Sequence, residues 1–370
     1  MIEEKIIENI PKLLAEKNLN FLIGSGASVP FFPTLGNIED LLTTSTVSES
    51  AKHLIYAIYF NSIIRKNINL LYQEKESERE KVLQHYKDFI DLLLQKMQLR
   101  NSRISPNRAN IFTTNYDLFF ELAIDRKLQE NQHLFFNDGS SGYFTRILSS
   151  DNYHKTVSIN GVFDNYQNEI PMINLIKCHG SVSWANHSDD IIKVSHDLSN
   201  LIKCAGKFDE LKINLEEKVI LEGFLKSWDL QSLEKVAVDR SEILKEFYDE
   251  YKNLLIINPE KTKFHHTVLN EYYYSMLRLL SYELERDQTI LLVFGFSFAD
   301  EHISRLILRS LNNPFLQVYI FCFSDGAEQA IKDNLGIVDK VSNIHFISPG
   351  ESDSNIDFKH FNSLIFGGGK

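Results

Sequence analysis

Apolar residues follow two rhythms along this chain. In one they form short, mostly apolar runs, at 19–23, 109–112, 172–176, 254–257, 290–294, 318–323 and 343–347. Such runs are too short for helices and read as strands buried on both faces. In the other rhythm apolar positions recur every three or four residues, the period of a helix with one buried face. Ile6, Ile7, Ile10, Leu13 and Leu14 mark one such helix within 3–18, and 48–99 is helical in period with no glycine or proline. Leu118, Leu122 and Ile124 mark another, as do Leu269, Tyr273, Met276 and Leu280, and Ile303, Leu306, Ile307 and Leu311. Residues 189–250 are charged, glycine-poor and also helical in period, whereas 131–166 is rich in Gly, Ser, Asn and aromatics and reads as loops with short strands. Strands alternating with helices predict an α/β domain built on a mainly parallel sheet. No repeat is visible, so the expectation is one domain, 1–370, with helical insertions near 48–99 and 189–250.

Ligands of such sheets bind beyond the C-terminal strand ends, and that is where the polar clusters fall. Gly24-Ser25-Gly26-Ala27-Ser28 follows the first run. It reads either as an ordinary strand-to-helix turn or as a cradle whose free amides and Ser28 hydroxyl hold a pyrophosphate. No Gly-Lys-Ser/Thr follows, so it is not a Walker loop. Thr113-Thr114-Asn115-Tyr116-Asp117 can cap the next helix. It also carries an asparagine amide able to donate and accept at once, as a ribose hydroxyl and a water would require. His179, in Lys177-Cys178-His179-Gly180, is either a solvated loop histidine or a general base beside a glycine that leaves room for substrate. Gly295-Phe296-Ser297, followed by Asp300, is a strand end with an Asp N-cap, or a contact for a nucleotide through the Gly295 amide and Ser297 hydroxyl.

Charge and cysteine content narrow the classes. A net charge of −11 argues against general nucleic-acid or membrane-surface binding, and no aromatic is interleaved with Lys/Arg clusters. Cys178, Cys204 and Cys322 are scattered and include no C-x-x-C pair, the pattern of a reducing compartment. Cys178 and His179 are adjacent on an extended segment and face opposite ways, so no metal site is expected of them. No carboxylate cluster with metal-ligand spacing points to a nuclease. The acidic N-terminus is unlike a leader peptide, and the longest apolar run, 289–299, is well short of the ~20 residues of a membrane helix. A cytoplasmic protein is expected.

Taken in order, the clusters resemble those of the sirtuin family. Gly24-Ser25-Gly26-Ala27-Ser28 resembles its G-A-G-x-S turn, and Thr114-Asn115-Tyr116-Asp117 its Q-N-x-D in the T-N-Y-D spelling of a bacterial sirtuin-like branch. Lys177-Cys178-His179-Gly180 resembles the branch's K-x-H-G, and Gly295 to Asp300 its G-Y-S-F-x-D. The resemblance implies a Rossmann-like sheet of sirtuin type with helical insertions, and NAD as substrate. It implies Asn115 and His179 as catalytic residues. It implies a nucleotide site of Gly24, Ser25, Gly26, Ala27, Ser28, Phe32, Asp117, Gly295, Ser297 and Ser324, with Phe31, Phe32 and Pro33 in a loop closing over the nicotinamide ribose. Asp117 either faces that pocket or supports the start of its helix.

Two departures from the family shape the function. Sirtuin deacylases carry a four-cysteine zinc module between the histidine and a later strand, and here that interval holds only Cys204. Thr114 stands where the family has glutamine. The remaining members of the branch resemble NAD glycohydrolases of anti-phage defence, which implies cleavage of NAD to nicotinamide and ADP-ribose without a metal. The alternatives are an NAD-dependent protein deacylase and a non-catalytic sensor of NAD or ADP-ribose. Too little chain follows the last strand for a sensor domain, so control is expected from another chain, from a second copy of this one or from the helical insertions. Similar stand-alone members are encoded beside a HerA-type DNA-translocating ATPase, which implies a homo-oligomer that partners such an ATPase through the helical insertions.

Overall fold

The computed structural model describes residues 2–34, 42, 47–73, 77–100, 106–130, 133–160, 167–188, 191–212, 230–258, 271–337, 341–349 and 355–367. Seven strands form the central sheet: β1 (Asn18–Ile23), β2 (Arg108–Thr113), β3 (Phe135–Asn137), β8 (Met172–Lys177), β11 (Thr289–Phe294), β12 (Leu316–Phe321) and β13 (Ile344–Ile347). Their order is β13-β12-β11-β1-β2-β8-β3, and every neighbouring pair is parallel. Setting aside the short edge strand β3, this is the doubly wound Rossmann order, and the chain changes direction across the sheet between β1 and β11.

Strand alternation divides the core. Phe21, Ile23, Ile111, Leu175 and Leu292 point into one apolar cluster, whereas Leu22, Phe112, Ile176 and Val293 point into the other. The first cluster is covered by helices Glu49–Tyr59, Ser77–Gln98 and Phe358–Phe366. The second is covered by Glu271–Leu284 and Glu301–Ser310. A small antiparallel sheet lies over that second face, in the order β4-β5-β10-β9 from β4 (Ser140–Ser141), β5 (Arg146–Leu148), β9 (Trp184–Ser188) and β10 (Ile191–Val194). It contributes Leu148, Trp184, Ile192 and Val194 to the cluster.

One polar feature crosses the sheet interior. Asn20, Asn110, Asn174 and Asn137 sit at paired positions on β1, β2, β8 and β3. Asn110 Nδ2 donates to Asn20 Oδ1 at 2.9 Å, Asn174 Nδ2 to Asn110 Oδ1 at 2.8 Å, and Asn137 Nδ2 to Asn174 Oδ1 at 2.9 Å. The ladder ends at Asn20 Nδ2, which is buried with no partner; the position opposite on β11 is Leu291.

Several expectations are corrected. The 48–99 stretch is helical as expected but divided: a π-helical turn, Phe60–Ile64, separates Glu49–Tyr59 from Lys66–Tyr72, and Ser77–Gln98 follows. Within 189–250, Ile191–Val194 is strand and helix begins only at Ser199, in Ser199–Glu210, Leu230–Asp239 and Ser241–Tyr251. The run 254–257 forms no sheet strand, only a bridge between Ile256 and Gly180. Pro259, Glu260, Lys261 and Leu269 lie outside the described residues.

Candidate functional site

The C-terminal ends of β11, β1, β2 and β8 stand side by side, and each leads into one of the polar clusters. At the switch point two turns pack backbone on backbone. Gly24 N donates to Phe294 O at 2.9 Å, and Gly26 N donates to Gly295 O at 3.0 Å. A Cβ on Gly24 would stand 2.4 Å from Gly295 O, and Gly295 itself has φ +66° with no room beyond Ala27 N. These glycines are therefore required by each other. The amides of Gly24, Gly26 and Ala27 are all engaged within the protein, the last by Gly24 O at 3.1 Å. These three amides are therefore not free donors in the expected cradle. The turn itself is a short 3-10 segment, Ser25–Ser28, with Ser25 exposed and Ala27 and Ser28 buried.

Ser28 opens a buried polar network. Its Oγ donates to Asp117 Oδ2 at 2.8 Å and lies 2.8 Å from the Tyr86 hydroxyl. Asp117 Oδ1 accepts from Phe119 N at 3.1 Å, so this carboxylate supports the start of Phe119–Gln129. Burial raises its pKa, against the opposing pull of Lys177 and the Ser28 hydrogen bond. The Lys177 ammonium donates to Asp117 O and pairs with Glu121 Oε1 at 2.9 Å, and burial raises the Glu121 pKa too.

Asn115 sits above this network. Thr113 Oγ1 accepts from Asn115 N at 3.0 Å and fixes the turn after β2. The side-chain Nδ2 donates to Gly24 O at 3.0 Å and reaches Ser28 Oγ at 3.3 Å. Oδ1 is buried and meets no hydrogen-bond donor. An unmet buried acceptor costs about 1–3 kcal/mol. The amide is thus held by its nitrogen while its oxygen is left for something else.

His179 occupies the matching place on the next strand. Thr113 and Lys177 are paired, so Asn115 and His179 each lie two residues beyond a paired position. His179 is 5 % exposed, and its Nε2 is 3.3 Å from Nε2 of His302. Asp300, the N-cap of Glu301–Ser310, and His302, in that helix's first turn, follow β11, and sequence reading missed their meeting with His179 because only the sheet order brings the segments after β8 and β11 to one rim. The room beside Gly180 (φ +83°) is taken by Leu255 O, which a Cβ would approach to 2.0 Å, so this glycine serves the chain and not a substrate. Cys178 is fully buried in the second cluster, and burial pushes its thiol up to about 12.

The remaining expected residues are more dispersed. Phe31 and Phe32 are buried, with rings edge-on to Phe119 at 5.6 and 5.7 Å, and Lys66 Nζ donates to Phe31 O at 3.1 Å. They are core side chains in this state, whereas Pro33 is exposed. Ser297 is exposed, and its Oγ accepts from Ala299 N at 3.4 Å. Ser324 caps Asp325–Leu335 by accepting from Ala327 N at 3.3 Å. Among the described residues no helix is long and apolar enough to cross a membrane.

The comparison with curated proteins gave no match. Residues 109–337 match the SIR2-like domain, from β2 through the helix after β12 and so across Asn115, His179 and Gly295. That is more than half of the chain, it agrees with the parallel sheet and its switch point, and SIR2-like domains use NAD. This chain belongs to the SIR2-like domain family.

Proposed function

We propose that this protein is an NAD glycohydrolase, with water as the acceptor. The observation that carries the reading is Asn115, whose amide nitrogen is tied to Gly24 O while its buried oxygen lacks a donor beside a buried histidine. A water or a ribose hydroxyl would supply the missing donor. NAD brings a cationic leaving group: the C1′–N bond breaks with its electron pair passing to the pyridinium nitrogen, which leaves as neutral nicotinamide. Asn115 Oδ1 orients the attacking water or the ribose hydroxyls at an oxocarbenium-like centre. His179 takes the proton as the new C1′–O bond forms. Asp117 acts from behind, holding Ser28 and the helix start, and Gly24, Ser25, Gly26, Ala27, Ser28, Gly295, Ser297 and Ser324 line the strand ends along which the dinucleotide would lie.

The test is consumption of NAD by purified protein, with and without an acyl-lysine peptide. Loss of NAD in the absence of peptide, abolished in Asn115→Ala and His179→Ala with unchanged circular dichroism, is the expected result. NAD loss that requires the peptide would make the protein a deacylase. Binding of NAD or ADP-ribose without turnover would make it a sensor.

Control by assembly, in anti-phage defence, completes the reading. The support is the family resemblance, together with exposed apolar side chains on the helices within the expected insertions: Tyr72, Ile202 and Val238. A homo-oligomer that cleaves NAD faster beside a HerA-type ATPase is expected, checked by NAD consumption and mass in solution for each component alone and mixed. An active monomer indifferent to that ATPase would refute this part.

A further inference from the structure

His179, Asp300 and His302 each bring one ligand atom into a group, and all three atoms lie within 4.8 Å of one another. The turn after β8 delivers the first, and the N-cap and first turn of Glu301–Ser310 deliver the other two. Asp300 occupies the N-cap position of Glu301–Ser310. The Nε2 atoms of His179 and His302 are 3.3 Å apart, with ring planes inclined by 36°. That separation lies just beyond the usual ~2.7–3.2 Å of a hydrogen bond from nitrogen. Two nitrogens each about 2.0–2.1 Å from a tetrahedral ion stand about 3.3–3.4 Å apart. The rings are therefore at ligand spacing. Two imidazoles and a carboxylate are a borderline-soft N,N,O set, and they leave a fourth tetrahedral position for water.

We propose that His179, Asp300 and His302 bind a divalent cation of the zinc class, and that the bound ion inhibits the enzyme. The inhibition rests on the NAD-hydrolysis reading, whereas the binding does not. In binding, His179 Nε2 gives its lone pair to the ion, any proton on the coordinating nitrogens leaves to solvent, and no electron is transferred. A histidine so engaged no longer accepts a proton from water. Cys178 takes no part, being turned into the second core cluster.

The probe is Co²⁺, whose visible absorption reports tetrahedral nitrogen and oxygen ligation. Chelator-treated full-length protein should titrate to an end-point of about one ion per chain. Removing a mere outer-shell partner costs about 10–100-fold in metal affinity, so Asp300→Asn and His302→Gln should each weaken binding at least that much. Zn²⁺ should displace Co²⁺ and suppress NAD consumption by the wild-type chain, and chelator should restore it. Absent saturable binding, or binding equal in the variants, overturns the site. Saturable binding with NAD consumption unchanged or increased by Zn²⁺ overturns the inhibition. A chain that binds Co²⁺ through these residues but never consumes NAD leaves the site standing and refutes the hydrolase reading.

Discussion

At Asp117, a carboxylate is shut away from water and kept there by three neighbours: the Ser28 hydroxyl, the Phe119 amide and the Lys177 charge. Desolvation outweighs them and raises its pKa in the folded chain. A raised acid pKa means that the folded state holds the proton more tightly than the unfolded one. Stability from this group is complete below the ordinary carboxylate range and is lost as pH rises through the raised value. Asp117→Asn removes that loss. Its melting temperature relative to wild type should therefore climb as pH is raised from about 4 toward neutrality, as differential scanning calorimetry at several pH values would measure. A difference flat in pH would show that Asp117 does not titrate abnormally. The sequence left open whether Asp117 faces a ligand or supports a helix, and the Phe119 bond favours support. It could not foresee why Gly24 and Gly26 are glycines. Their constraint is Gly295, distant in sequence and brought alongside only by the parallel pairing of β1 with β11.

Among elements, strand existence was readable from mostly apolar runs, and six of the seven sheet strands were recovered within two residues at each end (β1, β2, β8, β11, β12 and β13). The exceptions have physical causes. Residues 254–257 have a strand's composition but are spent on the Gly180 bridge, and β3 has only three residues, too few to show a period. Asn20, Asn110 and Asn174 were invisible as a ladder, because each looks like a polar interruption until register aligns them. Their mutual bonds make an ordered prediction. Asn110→Leu leaves Asn20 Oδ1 unmet, at about 1–3 kcal/mol, and also takes one of two acceptors from Asn174 Nδ2, which keeps Tyr153 O at 3.1 Å. Asn20→Leu leaves only Asn110 Nδ2 unmet and removes an atom already without a partner. Urea midpoints should fall clearly further for Asn110→Leu than for Asn20→Leu. The reverse order would mean that the ladder does not hold the register of β1, β2 and β8.

For the molecule as a whole, the question is whether the helices expected as insertions form a separate unit. Their aromatic residues argue that they do not. Phe247, fully buried in Ser241–Tyr251, packs against Phe60 at 5.5 Å, Tyr251 at 5.9 Å and Phe208 at 6.1 Å. Phe60 belongs to the segment 49–72, and Phe208 to Ser199–Glu210. The same apolar cluster continues through Leu54 and Phe89 to Phe21 and Ile111 on the sheet. A unit whose core is continuous with the sheet's core should unfold with it, even in a chain long enough for intermediates. Removing the Phe247 ring should cost about 3–5 kcal/mol, the range for a buried phenylalanine cut to alanine. The measurement uses Trp184, which lies in the opposite cluster, as a reporter in a Trp228→Phe background. If the molecule is one unit, Phe247→Ala should lower the urea midpoint of Trp184 fluorescence and of far-ultraviolet circular dichroism together. If the dichroism midpoint falls while Trp184 fluorescence stays at its wild-type value, the helices are an autonomous lobe, and the single-unit reading fails.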